Sequence, residues 1–124
     1  MSELADKFYD LLKDLFPHNI IVKEHYVNYG GNRLFFDFYI KDLDIVFEVQ
    51  GKQHEKFVKH FHQDRDGFFE LKKRDNLKVA YAGVNKIPFI VINYNEKMNR
   101  DILLKKIIKA QSEVLLNDRN NYQG

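Results

Sequence analysis

Cysteine is absent from the 124 residues, which excludes disulfides and thiolate metal sites and fits a reducing compartment such as the cytosol. No apolar run approaches the ~20 residues that a membrane-spanning helix requires. The N-terminus lacks the charged-then-apolar order of a secretory leader, so a cytoplasmic protein with no membrane partner is expected. Charge of one sign is scarce too: 20 basic against 18 acidic residues leave +2, too little by itself to imply a nucleic-acid partner. The distribution says more than the sum. His54–His62 carries two lysines and three histidines, and Lys72–Arg74 with Lys78 adds four cations. A run of this kind is equally well a solvated surface. Aromatic residues are plentiful, with 11 Phe and 7 Tyr, enough to fill the core of the single domain that this length suggests.

Periodicity orders the chain. Ser2 is placed to cap a helix whose apolar positions are Leu4, Phe8, Leu11, Leu12 and Leu15, and Pro17 ends it. Ile20–Asn28 reads as a strand, Gly30-Gly31-Asn32 as a turn, Arg33–Ile40 as a second strand and Ile45–Gln50 as a third. Asp42 and Asp44, between the last two, are better turn formers than ligands. Residues 52–63 have no clean period. A helix capped by Asp64 or Asp66 runs to about Ala82, with Gly83 as its C′ residue. The apolar run Ile87–Tyr94 suits a strand covered on both faces. A last helix starts at Asn99 or Asp101, with Ile102, Leu103, Ile107, Ile108, Val114 and Leu115 inward. The expected fold class is α/β, with a mixed sheet flanked by helices in the order α-β-β-β-α-β and an extra C-terminal helix.

Two strands carry acids, which strands ordinarily avoid: Asp37 in Arg33–Ile40 and Glu48 in Ile45–Gln50. Such breaches of local preference mark functional or strained sites. Strict alternation puts Phe35, Asp37 and Tyr39 on one face and Phe36, Phe38 and Ile40 on the other. In the next strand Val46, Glu48 and Gln50 share a face. In a hairpin the two acids can then face each other. Carboxylates that close repel unless a cation intervenes, and their oxygens suit Mg²⁺.

The pattern Asp37…Glu48-Val49-Gln50, extended by Gly51-Lys52-Gln53-His54 and by Lys73-Arg74-Asp75-Asn76-Leu77-Lys78, resembles the PD-(D/E)XK, or restriction-endonuclease-like, nucleases. It is most similar to their small phage and very-short-patch-repair members. The likeness covers roughly residues 20–95. It implies a Mg²⁺-dependent DNA endonuclease, with Mn²⁺ as a substitute, in a bacterial or phage-infected cell. Asp37, Glu48 and the Val49 carbonyl would hold the metal, and Gln50 and Lys52 would complete the catalytic set. Glu24 and His54 are accessory candidates, and Arg74, Lys78 and His54 candidates for DNA contact. A homodimer would let two sites reach both strands.

One residue departs from the family pattern. Gln50 stands where the family usually has lysine, and Lys52, His54 or Lys78 is left to supply the missing charge. That substitution motivates an alternative, a DNA-binding module on a nuclease scaffold that no longer cleaves. A third reading is an unrelated α/β domain with two exposed acids. His54, His60 and His62 fit no standard zinc spacing. The nuclease reading requires the acids to share a pocket able to hold a divalent ion; placement on opposite sheet surfaces, or burial of either against a permanent arginine or lysine with no opening to solvent, ends it.

Overall fold

Local signals set the element boundaries in the computed structural model, which describes residues 2–51 and 65–123. Helix α1 (Glu3–Leu15) begins where Ser2 Oγ accepts the Ala5 N–H at 3.2 Å. Strands β1 (Ile21–Tyr29) and β2 (Asn32–Ile40) meet at the two-residue turn Gly30-Gly31. Both glycines have positive φ, +57° and +82°, as the hairpin turn that matches strand twist demands. Then come β3 (Ile45–Gln50), α2 (Arg65–Val84), β4 (Phe89–Asn93) and α3 (Arg100–Gln123). Asn99 caps α3 by accepting the Ile102 N–H at 2.9 Å. The chain is thus α/β, and among the described residues the elements come in the expected order.

Two boundary expectations change, and one expectation of burial. Asp66 lies inside α2, and Asp64 falls outside the described residues. Gly83 is not the C′ residue, because the helix runs through it to Val84. Lys86 takes the left-handed conformation instead, at φ +58°. The Ile87 N–H then reaches Ala82 O at 2.9 Å and the Lys86 N–H reaches Gly83 O at 3.3 Å, which is a Schellman closure. Ala82 and Ile87 are buried in one cluster, so the site of the stop follows where Ile87 can be covered. In α3, Leu103 and Ile107 are buried, but Ile108 and Leu115 are 54% and 66% exposed. Adjacent helix positions lie ~100° apart, and the sheet covers only the stripe through Leu103 and Ile107.

The sheet order is β1-β2-β3-β4. The first two pairings are antiparallel and β3–β4 is parallel, reached through α2. Ala5, Phe8 and Leu12 of α1, with Leu103 and Ile107 of α3, pack on one face against Phe38, Ile40, Ile45, Phe47, Ile90 and Ile92. Ala82, Leu77 and Tyr81 of α2 pack on the other, against Leu34, Phe36 and Val46. At the β4 edge Lys106 of α3 donates to Val91 O at 3.3 Å and pairs with Glu96 at 2.7 Å. That pin fixes α3 to the sheet.

Alternation along β2 does not hold throughout. Phe36 meets Tyr81 and Phe89 on the α2 side, while Phe38 meets Phe8 and Tyr9 on the α1 side. Tyr39 belongs with Phe36, not with the Phe35 face. The β1–β2 register is the same above and below, yet the rung joining residues 24 and 37 is missing. At that rung Glu24 has φ +50°. A left-handed non-glycine residue costs about 1–3 kcal/mol. Burying two phenylalanines on opposite faces returns about 1.5–3 kcal/mol each, so packing outweighs the strain.

The turn glycines give a direct check. No heavy atom lies within 4 Å of a Cβ built at Gly31, so Gly31→Ala suffers only the left-handed backbone penalty. A loss of about 1–2 kcal/mol is expected, read as a lowered urea midpoint with an unchanged slope. An unaltered midpoint would contradict the turn geometry.

Candidate functional site

The interrupted rung is where the two strand acids meet. Regular β2–β3 pairing stops at Phe38↔Phe47, and the next pair, Asp37 and Glu48, is joined by side chains instead. The Asp37 N–H donates to Glu48 Oε1 at 3.0 Å, and the Val49 N–H donates to Asp37 Oδ2 at 2.8 Å. Each carboxylate thus satisfies a main-chain donor that the broken ladder would otherwise leave unpaired. The two bonds hold the acids side by side, as expected for neighbouring strands.

Helix α2 supplies a third group. Lys78 Nζ lies 3.1 Å from Glu48 Oε1 and 5.7 Å from the centre of the Phe36 ring. Of the three candidates for the cation missing at Gln50, Lys78 is therefore at the acids. Lys52 and His54, with His60 and His62, fall outside the described residues. Glu48 is 4% exposed and the Lys78 side chain 14%, while Asp37 and Gln50 are half-buried. The acids share one site, and one of them is buried against a lysine. By alternation Gln50 follows Glu48 on the α2 face of β3, and its carbonyl accepts the Tyr94 N–H at 2.8 Å.

Charge at this site is uncomfortable. Burial, and then the neighbouring Asp37 charge, push the Glu48 carboxyl up to about 7; Lys78 and the Asp37 N–H pull it down without offsetting them. Among the described residues Lys78 is the amine at this acid pair, and carboxylate oxygens of this kind suit a hard divalent cation.

The remaining candidates sort by position. Glu24 is exposed, opposite Asp37 in register. Among the described residues no group of three or more His, Asp or Glu side chains is placed to hold a metal ion, so Glu24 does not stand as a third carboxylate. Asp42 and Asp44 lie in the β2–β3 turn. Asp42 accepts from Asn19, and Asp44 accepts the Tyr39 hydroxyl at 2.8 Å while taking φ +53°. Arg74, one turn before Lys78, lines a cleft beside the Gly30-Gly31 turn rather than the acids. Sequence reasoning passed over Arg33 as a mere strand start, yet it lines the same cleft. No local signal marks it, because only the fold of the hairpin over α2 brings it there.

No family model matches the chain. It is similar to an uncharacterized protein, 307L, of Invertebrate iridescent virus 6, with 34% identity over 68 residues, covering 55% of this chain and 34% of the viral protein. The chain thus matches about a third of that relative's length. No solved structure matches it. Among the described residues no helix is long and apolar enough to cross a membrane.

The raised Glu48 value has a signed consequence. An acid held above its ordinary 4.5 takes up its proton more readily in the folded state. Its contribution to stability is therefore fully present below pH ~4.5 and is lost as pH rises through about 7. Glu48→Gln should remove this loss from the pH profile of thermal unfolding. In carboxyl-carbon NMR, Asp37→Asn should lower the Glu48 midpoint and Lys78→Met should raise it. A wild-type midpoint near 4.5 would refute this picture of the site.

Proposed function

We propose that this chain is a Mg²⁺-dependent DNA endonuclease of restriction-endonuclease-like fold, hydrolysing phosphodiester bonds at the Asp37–Glu48 pair. The observation that carries the reading is the convergence of Asp37, Glu48 and Lys78 at the broken rung. Asp37 and Glu48, with the Val49 carbonyl, would hold the metal; their hard oxygens fit it. Such an ion supplies Lewis-acid charge and acidifies a bound water. Mn²⁺ would substitute for it.

The chain's own groups then have defined work. Gln50, following Glu48 on the same face, orients the attacking water. Lys78 takes the charge role of the lysine that Gln50 replaces, arriving from α2 rather than from β3, and stabilises negative charge on the reacting phosphate. Lys52 and His54, two and four residues after Gln50 in sequence, complete the catalytic and accessory set. Arg74 and Lys78, with His54, hold the DNA backbone by charge, so binding weakens with salt. Two copies would serve the two strands of a duplex.

A second reading is favoured by one observation. Glu48 is nearly inaccessible and 3.1 Å from Lys78, as in a buried ion pair kept for structure. In that case the chain binds DNA without cutting it.

The test is cleavage of supercoiled and branched DNA with Mg²⁺ or Mn²⁺, alongside thermal unfolding. Asp37→Asn and Glu48→Gln are expected to reduce cleavage by roughly 10²-fold or more while remaining folded. Mg²⁺ at about 100 times its Kd should stabilise the wild type by about 2.7 kcal/mol, and neither variant to that extent. Full activity in either variant ends the nuclease reading. Binding without cutting, and no response to either metal, establishes the second.

A further inference from the structure

A cleft of about 320 Å³ opens between the tip of the β1–β2 hairpin and the first half of α2. Gly31, Asn32, Arg33 and Leu34 form one wall; Glu70, Lys73, Arg74 and Leu77 form the other. Arg33, Lys73 and Arg74 are exposed, and no salt bridge among the described residues engages any of them. Glu70 is the one acid in the lining, so the cleft carries a net excess of about two positive charges. The wall on the hairpin side is stiff. Gly30 and Gly31 complete a two-residue turn, the Gly31 N–H donates to Asn28 Oδ1 at 3.1 Å, and Asn32 Nδ2 donates to Tyr29 O at 3.1 Å.

The cleft stands in line with the acids. Leu34 precedes Asp37 by three strand residues, ~10 Å at 3.3 Å per residue. Arg74 precedes Lys78 by one helical turn, ~6 Å. Those separations match about two or three nucleotides along one strand of a duplex, at ~3.4 Å of axis each. Two guanidiniums offer forked donors that fit phosphate oxygens, and lysine offers a point charge.

We infer that this cleft is a phosphate subsite that grips the backbone of the DNA strand two or three nucleotides from the bond at Asp37–Glu48. The inference rests on the nuclease reading for the identity of the strand, and extends it by fixing where the strand lies. Arg33 and Arg74 clamp one phosphodiester from the two walls. Lys73 adds charge, and Glu70 limits how tightly the cleft holds.

The test measures binding of a short duplex oligonucleotide across a salt series, in an Asp37→Asn background without divalent metal. It is paired with Mg²⁺-dependent hydrolysis of a p-nitrophenyl thymidine diester, too short to reach the cleft, by protein carrying Asp37. Lys73→Gln/Arg74→Gln is expected to weaken oligonucleotide binding on the order of tenfold and to flatten the salt dependence by about two contacts. Hydrolysis of the short diester should be unchanged in Lys73→Gln and in Arg33→Gln. Arg33→Gln should weaken binding by a smaller factor, and Glu70→Gln should tighten it. Unchanged oligonucleotide affinity in the double variant, or in Arg33→Gln, overturns the subsite. So does a wild-type cleft that binds no oligonucleotide, even if the short diester is hydrolysed. Binding through the cleft with no hydrolysis of any diester leaves the subsite standing and removes the nuclease reading instead.

Discussion

The structure turns on one interrupted rung. Where β2 should pair onward with β3, two carboxylates take over the hydrogen bonds of the ladder, Glu48 receiving the Asp37 N–H and Asp37 receiving the Val49 N–H. On the other side of β2 the rung to Glu24 is missing as well. The strand changes face here, so Phe36 enters the α2 layer and Phe38 the α1 layer. The strain of a left-handed Glu24 is tolerated because both layers gain a buried ring. The same break that lets β2 serve two cores aims Asp37 at its neighbouring acid.

The two faces of the sheet consequently do different work. On the α1 and α3 side the contacts are apolar packing, reinforced at the edge by Glu96 and Lys106. Burial would raise the Glu96 carboxyl, but hydrogen bonds from Lys106 and Asn93 hold it below its ordinary range. That ion pair is comfortable and structural. On the α2 side Glu48 is pushed the other way, by burial and by Asp37, despite an amine at 3.1 Å. Two acid–lysine pairs in one small sheet thus end in opposite electrostatic states. The difference is the deeper burial of Glu48 and then the second carboxylate beside it, and it is why the Asp37–Glu48 pair rather than Glu96 is the place to expect chemistry.

Much of the fold was legible in the chain. Helical spacing in Leu4–Leu15, the caps Ser2 and Asn99, the Gly30-Gly31 turn and the run Ile45–Gln50 act through local geometry, and each element lies within a residue or two of expectation. Misplacements occurred where burial overrules local preference. Gly83 offered a natural helix stop, but the helix ends where Ile87 can be covered beside Ala82. Ile108 and Leu115 follow an apolar pattern, yet the stripe of the last helix buried on the sheet runs through Leu103 and Ile107 instead.

The sequence alone determined that two acids sit on neighbouring strands and that a lysine-bearing helix follows, because strand pairing and helical turns are short-range consequences of residue type. Only the tertiary structure decided that alternation breaks at Asp37, that Lys78 lies beside Glu48, and that Arg33 and Arg74 line one cleft. Those facts depend on which surfaces α1, α2 and α3 leave available, and burial is a property of the assembled layers rather than of any segment.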